Sequence, residues 1–164
     1  VPTWFDTAER RSLLMQVARL WDGTPFFANS CAPGRDGGVD CVNLLNAIYS
    51  TCGCIPRQRI PRHAMDASHH DRVRSPLIEA FETWPDLAER FGRLTDLSPD
   101  ALLPGDALCF RNGHVPYHGA VMLIAGEILH VINTPVGVHR MQLRATIRGH
   151  KILGRLEAVF RPHP

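Results

Sequence analysis

The sequence predicts an α+β domain in which N-terminal helices pack on a C-terminal antiparallel sheet. Up to about residue 91 the apolar residues recur at helical spacing. After Pro104-Gly105 the period shortens to runs of strand length, and turn residues separate those runs. Helices first and strands afterwards leave no alternation of the kind that builds a parallel sheet. With 164 residues, 45% of them apolar and 21% charged, the chain is sized and composed for one globular domain spanning 1–164.

Leu13, Leu14, Val17, Leu20 and Trp21 share one face of a helix over residues 6–21, which Gly23 and Pro25 stop. Residues 29–38 carry a proline, glycines and charges and read as a loop. A second helix opens near Asp40, with Leu44, Leu45, Ile48 and Tyr49 at helical spacing, and ends at Gly53 before Pro56. Residues 55–74 form a long Arg- and His-rich loop. Ser75-Pro76 is a cap followed by proline at the first helical position. It leads into Leu77, Ile78, Phe81 and Trp84, and Pro85 kinks or restarts the helix before Leu87 and Phe91. Strands follow at 107–110, 119–124, 128–132 and 155–161, and residues 125–127 make a hairpin turn between the second and third.

Composition also excludes functions. No apolar run is long enough to span a bilayer, and residues 1–11 lack the apolar stretch of a secretory leader. A net charge of +2 does not suggest a nucleic-acid partner. Five cysteines with no C-x-x-C pair argue against a zinc ribbon or a redox dithiol. His63, His69 and His70 lie near Asp66 and Asp71 but lack the spacing of a zinc-peptidase helix, so the expectation is no metal and no cofactor. The arginines of the same loop, Arg57, Arg59, Arg62, Arg72 and Arg74, read first as a solvated surface.

Cys41 stands out by its setting. A Gly-rich loop leads to Asp40 at an N-cap position, which places the thiol in the first turn of a helix. Unpaired amides and the positive end of the helix dipole favour an anion there, so a lowered thiol pKa is expected. The same amides can stabilise an oxyanion. A buried structural cysteine is the competing reading. A nucleophilic cysteine needs a base and the base an orienting group. His118 opens an apolar strand and His130 sits within the next one, an even number of residues away, so in an unbulged hairpin both share a sheet face. The simplest register, centred on Gly126, sets His130 opposite Met122. His114 precedes Pro116 in an irregular stretch, which makes His118 the preferred base. Satisfied core histidines remain the competing reading.

Taken in order, Gly23-Thr24-Pro25-Phe26, Gly37-Gly38-Val39-Asp40-Cys41, Pro104-Gly105-Asp106, His118-Gly119-Ala120-Val121 and Leu129-His130 resemble the motif series of the NlpC/P60 family of papain-like cysteine peptidases. The resemblance covers residues 14–135. It implies a papain-like domain with residues 75–91 as an added helical segment, thiol attack by Cys41, proton transfer through His118 and orientation by His130. It further implies a thioester intermediate and a peptidoglycan stem-peptide substrate, cut at the bond from γ-D-glutamate to a diamino acid. Phe26, Asp40, Val42 and Tyr117 are then expected around the substrate. Phe26 stands where the family carries Tyr, and Val42-Asn43 where it carries Ser-Gly, departures that bear on which substrate is taken. The opening at Trp21 is similar to members found beside bacteriophage tail genes, which adds a phage-tail or cell-wall assembly as an expected partner. A bacterial or phage origin with action at the cell wall follows from the same resemblance. Two alternatives stay open: a catalytically silent binding or structural module, and an amidase or acyltransferase for another substrate.

Overall fold

A computed structural model of the chain describes residues 2–62, 75–112, 115–147 and 150–164, with the side chains at 112, 115–117, 147 and 150 outside the description. Thr7 caps α1 (Ala8–Trp21) by accepting the Arg10 amide, and the buried stripe Leu14, Val17, Ala18 and Trp21 faces the core. A two-residue ladder follows, β1 (Cys31–Ala32) against β2 (Gly38–Val39), and it delivers the chain to Asp40. Helix α2 (Cys41–Thr51) begins there and is buried along Leu44, Leu45, Ala47, Ile48 and Tyr49. Ser75 caps α3 (Pro76–Thr83), and Pro85 restarts the chain as α4 (Pro85–Arg90), as its fixed φ and missing N–H require.

The sheet has six antiparallel strands in the order β3-β10-β4-β5-β6-β7. They are β3 (Phe91–Arg93), β4 (Ala107–Asn112), β5 (Val115–Met122), β6 (Glu127–Val131), β7 (Val138–Gln142) and, after the small ladder of β8 (Thr146–Ile147) with β9 (His150–Lys151), β10 (Leu156–Pro162). Alternation along the strands divides the core. Cys109, Val121, Leu129 and Phe160 pack towards the helices, whereas Leu108, Ala120, Ile128 and Val159 pack beneath Leu102, Leu143 and Ile152.

Asp106 of the Pro-Gly-Asp turn is fully buried. It accepts Nε and Nη2 of Arg161 at 2.9 and 2.7 Å and the Leu103 amide at 2.8 Å. This buried pair fixes the entry to β4 against β10. The strands β3 and β7 are absent from the sequence expectation.

One register differs from that expectation. Ala120, not Met122, lies opposite His130. The turn between β5 and β6 is the three-residue loop Ile124–Gly126, closed by the Leu123 amide on the Glu127 carbonyl at 2.7 Å. Its centre is therefore Ala125, with φ of 57°, rather than Gly126, with φ of 75°. Moving the centre by one residue slides the partner of His130 by two. His118 is left at the diagonal position, where ring-sized side chains on one face meet.

Candidate active site

Asp40 builds the first half of the site. Its Oδ1 accepts the Asn43 amide at 2.9 Å as the N-cap of α2, and its Oδ2 accepts the Asn29 amide at 2.6 Å. The Asn43 side-chain amide donates to both oxygens at 3.1 and 3.0 Å. The carboxylate is fully buried, and it ties the loop to the first turn that carries Cys41. Phe26 forms a parallel bridge with Val39 and is partly buried beside this turn. Val42, partly buried, lines an apolar pocket with Leu45, Leu77, Phe81, Trp84 and Leu87, so helices α3 and α4 wall a pocket against the face of α2 that carries Val42. Tyr117 lies on β5, with its side chain outside the described residues.

The Cys41 thiol reaches β5. The β5–β6 ladder ends at Ala120 opposite His130, and one residue beyond it the Gly119 amide donates to Sγ. The amides of Cys41 and Val42 also point at the sulfur. Gly119 eases this approach, because a Cβ there would stand 2.7 Å from Leu45 Cδ1 and 3.2 Å from Leu77 Cδ2 and would have to displace these side-chain tips. The expected low thiol pKa is not what the site produces. Burial pushes Cys41 up to about 11 against the pull of the Gly119 amide, and the neighbouring Asp40 carboxylate adds to the rise. Desolvation penalises the thiolate more than a helix terminus stabilises it. All five cysteines, Cys31 included, are free thiols.

The second half is a chain of imidazoles. His118 Nε2 lies 2.8 Å from His130 Nδ1, so the two histidines expected as base and orienter are in contact. The chain then continues to a residue that the sequence reading missed. His130 Nε2 lies 3.1 Å from His139 Nε2, and His139 Nδ1 lies 3.1 Å from the Gly137 carbonyl oxygen. His139 is directly opposite His130 in the β6–β7 ladder. Burial holds His118 down at about 4 and His130 at about 2, with like charge between the rings acting in the same direction. Both are neutral at neutral pH. His63, His69, His70, His114, Arg72 and Arg74 lie outside the described residues. Among the described residues no group of three His, Cys, Asp or Glu side chains is placed to hold a metal.

The sequence matches no family model and no curated protein. Solved structures do match. An NLP/P60-family protein similar to lipoprotein, from Staphylococcus aureus, superposes with a TM-score of 0.60 at 19% identity over 99% of this chain and 44% of that one. The NlpC/P60 domain of the peptidoglycan hydrolase SagA gives 0.52 at 15% identity over 91% and 96%. RipD of Mycobacterium tuberculosis, a non-catalytic NlpC/P60 domain protein adapted to peptidoglycan binding, gives 0.52 at 13% over 94% and 98%. The chain has the NlpC/P60 fold. It spans less than half of the staphylococcal protein and the whole length, nearly, of the isolated NlpC/P60 domains. The phage-tail likeness expected from the opening at Trp21 has no counterpart in these three structures.

Proposed function

We propose that this chain is a cysteine peptidase or amidase that cleaves an amide bond in peptidoglycan stem peptides at the cell wall, the γ-D-glutamyl–diamino acid bond being the first candidate. The observation that carries this reading is the 2.8 Å contact of His118 with His130 beside the strand residue whose amide meets the Cys41 sulfur. The thiol proton passes to His118 as sulfur attacks the carbonyl carbon, and the amides of Cys41 and Val42 at the helix terminus receive the developing oxyanion. Collapse breaks the C–N bond and the imidazolium returns its proton to the departing amine. Water, deprotonated by the same imidazole, then opens the thioester. Thiol and imidazole both rest neutral, so the proton moves during attack rather than before it.

A binding module is the second reading, favoured by one feature: the sulfur sits in a residue only 3% exposed. The two readings part on a panel of muropeptides analysed by mass spectrometry. Hydrolysis by the wild type, lost in Cys41→Ala with thermal stability retained, is the expected result. Muropeptide binding without cleavage by the wild type would overturn the enzymatic reading.

A further inference from the structure

The Gly137 carbonyl has a consequence for every ring in the imidazole chain. A carbonyl oxygen only accepts, so the 3.1 Å contact from His139 Nδ1 requires the proton on that nitrogen. In neutral His139 the other nitrogen, Nε2, then carries a lone pair. The 3.1 Å contact between His130 Nε2 and His139 Nε2 needs one proton, which His130 must supply. His130 Nδ1 is thereby left as an acceptor, and His118 Nε2–H donates to it across 2.8 Å. The lone pair of His118 is thus confined to Nδ1. Reversing the order would place a proton on Nδ1 of His118 and abolish its capacity as a base.

We propose that His139 is a positioning residue for the proposed hydrolysis: anchored on the Gly137 carbonyl, it sets the tautomers of His130 and His118 so that Nδ1 of His118 is free to take the thiol proton. The inference rests on the functional reading above, but its central claim concerns protons that are observable without substrate. The anchor is itself held. Gly137 has φ of 62°, and a Cβ there would stand 2.2 Å from the Thr24 carbonyl oxygen. The same segment is stitched to β7 by the Val138 amide on the Thr24 carbonyl and the Gly23 amide on the Val138 carbonyl, both at 2.8 Å. The loop that precedes Phe26 therefore fixes the far end of the chain whose near end is His118. Since His130 is fully buried, no solvent molecule at its surface substitutes for a lost partner. A packed ring without an acceptor at position 139 leaves His130 free to adopt either tautomer.

The test uses two variants of the whole chain. His139→Phe keeps the ring's volume and removes the acceptor, and His139→Gln returns an acceptor oxygen near the place of Nε2. Imidazole nitrogen shifts from long-range 1H–15N spectra report the tautomers directly. The wild type is expected to show His118 and His130 each protonated on Nε2. His139→Phe is expected to shift both towards mixed tautomers, and His139→Gln to restore them. On a cleaved muropeptide, kcat in His139→Phe should fall roughly 10- to 100-fold, by analogy with the loss of the outer-shell partner of a metal-bound histidine. KM should stay within a factor of two or so and Gln should recover most of the rate. Tautomers unchanged in His139→Phe, or a wild-type His118 protonated on Nδ1, would overturn the proposal. If the wild type cleaves nothing, the functional reading fails while the spectra still decide the tautomer claim.

Discussion

The thiol side and the imidazole side of the site are built by opposite means. Cys41 is placed by the start of its own helix: Asp40 caps that helix, and Asn43 in its first turn and Asn29 in the preceding loop hold Asp40. The histidines are placed by strand register, across 12 residues from His118 to His130 and 9 from His130 to His139. Their protonation demands are opposite too. Burial requires the thiol to stay protonated and the rings to stay unprotonated. A local device can be broken at one residue, whereas a register is broken by pH or by its turn.

The largest expected effect is on the imidazole side, in acid. Above pH 6.5, the ordinary value of the ring, His118 and His130 are neutral both folded and unfolded and contribute no pH dependence. Below it the unfolded chain binds protons that the folded chain refuses. Stability therefore falls as pH falls, down to about 4 for His118 and about 2 for His130. Each ring contributes a slope approaching roughly 1.4 kcal/mol per pH unit within its window. A urea midpoint measured from pH 8 to 4 should drop steeply, and a flat profile would mean that the rings are not held neutral. The thiol side fails at the other end. Cys41 contributes stability below pH 9 that is lost as pH rises to about 11, a loss shared with buried Cys52 over the same window and with buried Cys54 up to about 12.

The next effect breaks the local device. In Asp40→Ala the helix loses its cap and the Asn29 amide its 2.6 Å partner. A cap contributes about 1 kcal/mol, and the amide of Asn29, an exposed residue, adds little to that, so a loss of about 1–2 kcal/mol in a denaturant titration is expected. Asp40→Asn, which keeps an acceptor, should recover most of it. Equal stability of the two variants would show that the carboxylate's charge, not its capping, holds the turn. Gly119→Ala acts where the two sides meet. The added methyl presses on the tips of Leu45 and Leu77, which can give way, so the cost is about 1 kcal/mol. Turnover should fall further than stability, because α2 is pushed from the strand whose amide meets the sulfur.

What the sequence made legible follows the same division. Helices α1 to α4 and the cap at Asp40 were readable because caps, proline starts and 3.6-residue periods are local signals. Strand β7 was not, because of its five residues only Val138 is buried and it carries no apolar alternation. His139 went unseen with it, although a histidine following a glycine and a β-branched residue just beyond a turn was a usable cue. The depth of Cys41 was equally invisible. Whether a helix terminus lowers a thiol's pKa depends on what covers it, and here the cover is β5, nearly 80 residues further along the chain.

The smallest effect tests the register itself. Ala125 holds φ at 57° with no side-chain means of relieving it. The left-handed conformation costs an L-residue roughly 1–2 kcal/mol, while glycine gives back roughly 0.5–1 by loosening the unfolded chain. Ala125→Gly is therefore expected to stabilise the fold by about 0.5 kcal/mol. The His118–His130 tautomer pattern should not change, since the turn keeps its centre. A destabilisation of that size would mean that residue 125 is not left-handed in solution. A turn centred on Gly126 would then return His130 to a position opposite Met122, too far along the strand for the two rings to meet.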